Sequence, residues 1–255
     1  MKTIIKYSTI TIATLLLSSV CMADNHKDAS SAKHWGYTGN EAPKNWSTLD
    51  EKYHICSEGT RQSPINVIGT NDVDLKPLNL KYSTVSKSVL NNGHTIQVNI
   101  EGGSNFILED DVYELKQFHF HSPSENNING NEFPLEVHFV HATKEGKLAV
   151  IGVMFEEGSE NAVLSKIWKE FPLEKGEEKA LNLSVEEISS LMPYKKDYYT
   201  FMGSLTTPPC SENVKWHIYK TPINVSKAQV ETFFKIFGHA TNRPIQESNS
   251  RVVVE

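Results

Sequence analysis

From position 78 to position 155 the chain runs in short stretches of alternating apolar and polar residues. The stretches are broken at Asn91-Asn92-Gly93, at Glu101-Gly102-Gly103 and between Asn126 and Gly130. Period-two alternation puts successive side chains on opposite faces of a strand, and Asn-Gly pairs turn one strand into the next, so this region predicts β-structure. Tyr113 to His121 reads YELKQFHFH, with Leu115, Gln117, His119 and His121 on one face and Lys116, Phe118 and Phe120 on the other. Leu135 to Ala142 reads LEVHFVHA, with Glu136, His138 and Val140 on one face and Val137, Phe139 and His141 on the other.

The pattern lengthens to helical spacing in three places. One helix is expected near Asn161 to Phe171. Ser184 with Glu187, and Ser226 with Gln229, make capping boxes, each flanked by an apolar pair (Leu183 and Ile188, Val225 and Val230) that can staple the helix start. Pro193 and Gly238 supply the stops. Val230, Phe233, Phe234 and Phe237 recur on one helical face and are expected to pack in the core. Asp24 to Asp50 is polar apart from Trp35, Tyr37 and Trp46, and reads as a segment that wraps the body without needing regular structure. No repeat, low-complexity tract or linker interrupts the 255 residues, which suit one large domain.

The amino end differs. Lys2 and Lys6 precede an apolar run from Ile10 to Val20, then Cys21, Met22 and Ala23, the pattern of a secretory signal cleaved after Ala23. The run is too short to span a membrane, and Ser18, Ser19 and Val20 make a poor lipid-attachment signal before Cys21. The expected division is 1–23 as signal peptide and 24–255 as the mature domain. There are 25 basic and 31 acidic side chains, and cleavage removes two of the basic ones, so nucleic acid is not an expected partner. Cys56 and Cys210 then remain, an even pair that in an exported chain predicts a disulfide.

His119 and His121 point the same way, and pairing of their strand with the His138 strand would bring three imidazoles together. Three neutral nitrogen ligands leave zinc its full charge and one open position, the arrangement of a catalytic site. Gln117 and Glu136, two residues before His119 and His138 on the same faces, can accept the remaining ring protons and fix the tautomers. A second metal class competes at this point. His119, His121 and Glu125 fit the His-x-His-x3-Glu spacing of a cupin barrel, although Tyr113 stands where its upstream glycine is usual.

QFHFHSPSE at Gln117 to Glu125, LEVHFVH at Leu135 to His141 and GSLTTPPC at Gly203 to Cys210 together resemble the α-class carbonic anhydrases. WGY at Trp35, QSPIN at Gln62, NNGH at Asn91 and VKWHI at Val214 extend the resemblance, in the family's order, over nearly the whole mature chain. It implies a mainly β fold with short helices around a large, twisted, mostly antiparallel central sheet, as a single domain. It implies one zinc ion on His119, His121 and His138, and reversible hydration of carbon dioxide to bicarbonate and a proton by a zinc-bound hydroxide. Thr206 and Glu125 match the pair that orients the hydroxide. His94 matches the proton shuttle, with an imidazole expected to titrate near neutrality.

Val140, Val150, Leu205, Thr207, Val214 and Trp216 match the substrate pocket, and Tyr37, Asn92 and Gln97 match positions that order water. The family contact to His121 is a backbone carbonyl, so Thr241, where an asparagine is common, puts little in doubt. Asn126 replaces a histidine common in animal members and is expected to alter local packing only. His26, His34, His54, His141, His217 and His239 read as structural or solvent-facing. A binding module on the same scaffold, or another exported zinc protein, is the competing class, disfavoured by three intact ligands and an apolar wall. The expected location is periplasmic or secreted. The choice between monomer and homodimer stays open.

Overall fold

The computed structural model describes residues 33–255, so the signal-peptide reading of 1–23 lies outside the described residues. Among the described residues thirteen strands and five short α-helices follow in order, with three 3-10 turns before the first strand. Eleven strands form one sheet. Its main path runs Glu178–Ala180, Ser86–Asn91, Ile96–Ile100, Asp111–His121, Leu135–Ala142, Leu148–Glu157, Glu212–Tyr219 and Tyr198–Ser204. The pairings are antiparallel except where Leu148–Glu157 meets Glu212–Tyr219 and Ile223–Val225 in parallel. The expected mainly β, mostly antiparallel architecture is the observed one.

Alternation assigns the two faces different work. Phe118, Phe120, Val137, Phe139, Ile151 and Val153 point into the larger core. The helices Ala162–Glu170, Val185–Ser190 and Lys227–Phe237 contribute Leu164, Ile188 and Phe233 to the same core. The opposite face carries His119, His121 and His138 and a second core of Val150, Met154, Phe201, Val214, Trp216 and Ile218. Register completes the arrangement. His119 lies directly across from His138, and His121 across from Glu136. A one-residue slip would send every ligand to the wrong face.

Both capping boxes form: Glu187 N–H donates to Ser184 Oγ at 3.2 Å, and Gln229 N–H to Ser226 Oγ at 3.3 Å. Gly238 ends the last helix in the left-handed conformation that glycine adopts without strain. Phe234 departs from the expected stripe. It is 46% exposed, while Phe233 is buried and Val230 and Phe237 are packed against the core, because an eleven-residue helix lying on a sheet turns only part of its surface inward.

The amino-terminal segment is also more regular than expected, with 3-10 turns at Gly39–Glu41 and Pro43–Asn45 and a helical turn at Trp46–Leu49. Trp46 anchors it, its indole N–H reaching Gly36 O and Glu41 O, both at 2.9 Å. Cys56 and Cys210 are disulfide-bonded within the same small cluster. Among the described residues no helix is long and apolar enough to cross a membrane.

Candidate metal centre

Each of the three histidines turns one ring nitrogen toward an oxygen acceptor. His119 Nδ1 donates to Gln117 Oε1 at 2.8 Å, and His121 Nδ1 donates to Thr241 O at 2.6 Å. His138 Nε2 lies 2.9 Å from Glu136 Oε1. The tautomers that follow leave lone pairs on His119 Nε2, His121 Nε2 and His138 Nδ1. Ligand nitrogens of the three rings fall within 4.8 Å of one another. Burial holds His121 down to about pH 4, and burial together with the other two rings holds His119 well below its ordinary range. Neutral imidazoles are what a metal requires. His121 Nε2, buried and without a hydrogen-bond partner, is costly as an orphan but suited to a cation. The residues therefore fit one zinc ion, and among the described residues the group placed to hold it is His119, His121 and His138, without the Glu125 that the cupin alternative needs.

Glu125 Oε1 accepts the Arg243 N–H at 2.9 Å, and Oε2 lies 3.5 Å from His121 Nε2 and 3.9 Å from His138 Nδ1. Burial pushes the carboxyl up to about 7, against the opposing pull of His138, the Thr206 hydroxyl and the Arg243 amide. Thr206 sits in the loop after the strand Tyr198–Ser204. That loop is closed by Leu205 N–H to Ser211 O and Cys210 N–H to Thr207 O, both at 2.9 Å, and Cys210 is tethered through its disulfide.

Five of the six residues matched to a substrate pocket by the resemblance fall together. Val150, Val214 and Trp216 are buried, and Val140 and Leu205 pack on them; Thr207 is half-buried in the loop. The Trp216 ring meets His138 edge-on at 4.9 Å, its indole N–H fixed by Ser204 O at 3.0 Å. On the other side Asn92 Oδ1 accepts the His94 and Thr95 amides at 2.9 Å, and Asn92 Nδ2 reaches Gln97 Oε1 at 3.3 Å. Gln97 lies across the ladder from His119. The Tyr37 hydroxyl is buried without a partner among the described residues, and burial raises its pKa well above the ordinary value.

His94 departs from expectation. Its ring stacks on Trp35 at 3.8 Å and 9°, and its pKa falls to about 4 rather than lying near neutrality. Burial is the main cause, followed by the nearby Lys175 ammonium. Lys175 in turn contacts His34 Nε2 at 2.5 Å, and His34 Nδ1 lies 3.1 Å from Glu41. Asn126 also does more than fill space, because its side chain donates to Glu136.

Two residues of the site were given no role by the sequence reading. Arg243 joins Gln62 Oε1, Ser63 O and Cys56 O through its guanidinium while its amide holds Glu125. Gly152 lies opposite His138, where an added Cβ would meet Ile218 Cδ1 at 2.6 Å and Glu136 Oε1 at 3.0 Å. Only the strand register reveals the second.

Comparison with known proteins agrees with this geometry. The model of the eukaryotic-type carbonic anhydrase family matches residues 41–255. A carbonic anhydrase of Pectobacterium carotovorum is 41% identical over 239 residues, 94% of this chain and 96% of that one. One of Neisseria gonorrhoeae is 43% identical over 243 residues, 95% and 96% of the two chains. The solved α-carbonic anhydrase of Thermovibrio ammonificans, in complex with the inhibitor sulfanilamide, superposes with a TM-score of 0.83 at 41% identity, covering 88% of this chain and all of that one. Sheet, converging imidazoles and sequence likeness over nearly the full length lead to one conclusion: this chain belongs to the α-carbonic anhydrases, an enzyme family of the lyase class.

Proposed function

We propose that the chain catalyses the reversible hydration of carbon dioxide to bicarbonate and a proton, with one zinc ion held by His119, His121 and His138. The observation that carries this reading is the convergence of three rings whose ligand nitrogens lie within 4.8 Å of one another, two of them held by hydrogen bonds to Gln117 and Thr241 and the third facing the Glu136 carboxylate. Zinc, when bound there, acts as a Lewis acid that brings a water ligand to a pKa of about 7, a value established for carbonic anhydrases themselves and taken as given.

The chain's own residues orient the reaction. Glu125, with Oε1 held by Arg243 N–H, accepts the Thr206 proton, so that the Thr206 oxygen must act as an acceptor toward the nucleophile and aim its lone pair. Val140, Val150, Leu205, Thr207, Val214 and Trp216 form the wall against which a small molecule without net charge lodges. Gln117 and Glu136 keep the ligand rings in register. His94 carries the product proton outward along water ordered by Tyr37, Asn92 and Gln97, after its ring swings off Trp35. The mature enzyme spans 24–255 and works in the periplasm or outside the cell, as the amino-terminal pattern and the paired cysteines support.

Stopped-flow hydration with a pH indicator, with metal measured on the same sample, tests the reading. One zinc per chain and fast hydration are expected. One zinc per chain without hydration would contradict it and mark a binding role.

A further inference from the structure

Glu136 is a fully buried carboxylate with both oxygens engaged. Oε2 accepts the backbone N–H groups of Glu125 at 2.8 Å and Asn126 at 2.9 Å. Oε1 accepts the Asn126 side-chain amide at 3.0 Å and faces His138 Nε2 at 2.9 Å. Asn126 is itself fully buried, and its Oδ1 accepts the Ile65 N–H at 3.1 Å. Only a side chain with a donor and an acceptor side by side makes both contacts at once.

We propose that Asn126 is a positioning residue for the metal centre, its carboxamide fixing the Glu136 carboxylate so that His138 presents Nδ1 to zinc. The inference rests on the zinc reading above and adds a residue to it. Without the amide, one carboxylate oxygen loses its only donor besides the imidazole, in surroundings where no water replaces it cheaply. The carboxylate is then free to tilt, and the ring it orients tilts with it. The backbone donors on Oε2 cannot prevent this, because both act on the other oxygen.

The test compares the zinc-loaded full chain with Asn126→Leu, Asn126→Ala and Asn126→His. Two quantities are read: the rate of zinc release into excess chelator, and the rise in melting temperature on zinc loading. Leu keeps the bulk without hydrogen bonds, Ala avoids any clash if Leu does not fold, and His restores a donor. Leu and Ala are expected to release zinc roughly 10- to 100-fold faster and to gain less in melting temperature from zinc, with His recovering most of both. Unchanged release, with zinc-free and zinc-loaded forms destabilised equally, would reduce Asn126 to packing and overturn the inference. A wild-type chain that takes up no zinc would overturn it together with the proposed function.

Discussion

At the scale of single residues, His94 is where environment departs most from residue type. Stacking on Trp35 removes water from one face of the ring, and the ammonium of Lys175 adds a second reason to stay neutral. Trp35→Ala is therefore expected to raise the His94 pKa from about 4 toward 6.5, followed by ring-proton NMR titration. A value still near 4 would assign the shift to the surrounding charges. His94→Ala is expected to lower turnover in weak buffer by roughly 100-fold, the lower end of what a positioned acid–base group contributes, and added imidazole should restore it. Equal turnover at every buffer strength would remove the shuttle role. The convergence of His119, His121 and His138 was legible because strand alternation needs no tertiary information. The environment of His94 was not, since Trp35 and Lys175 lie 59 and 81 positions away along the chain.

At the scale of elements, the two histidine strands, the three helices and both capping boxes were readable from periodicity and from side-chain chemistry at helix starts. Register was not, and register decides where small residues are required. Gly152 has an ordinary strand environment in sequence, yet its neighbours across the ladder leave no room for a methyl group. Gly152→Ala is expected to cost about 1–3 kcal/mol through overpacking against Ile218 and Glu136, read as a lower urea midpoint at unchanged slope. A midpoint equal to wild type would show that Ile218 gives way freely. The exposure of Phe234 has the same origin as the hidden crowding at Gly152, since a repeat along the chain gives a direction but not the width of the surface it meets.

At the scale of the whole molecule, the sheet buries histidines that no metal claims. His141 and His217 are both held down to about 3, chiefly by burial, and neither ring nitrogen of His217 has a hydrogen-bond partner among the described residues. The unfolded chain binds protons on these rings below about pH 6.5 while the folded chain does not, so stability is lost as pH falls through that window. Replacing His217 by Leu should remove its share. The stability gap between variant and wild type is expected to change in the variant's favour by about 2 kcal/mol from pH 7 to pH 5, measured by urea unfolding of zinc-free protein. A gap constant with pH would mean that His217 protonates in place. Reduction of the Cys56–Cys210 disulfide is expected to cost about 2–5 kcal/mol in the same assay and to loosen the loop that carries Thr206. All of the chemistry depends on three rings sharing one ion. Zinc-edge X-ray absorption of the purified, zinc-loaded chain should show three imidazole nitrogens and one oxygen ligand from solvent, with bonds near 2.0–2.1 Å. Fewer than three imidazoles, or sulfur at about 2.3 Å, would contradict it.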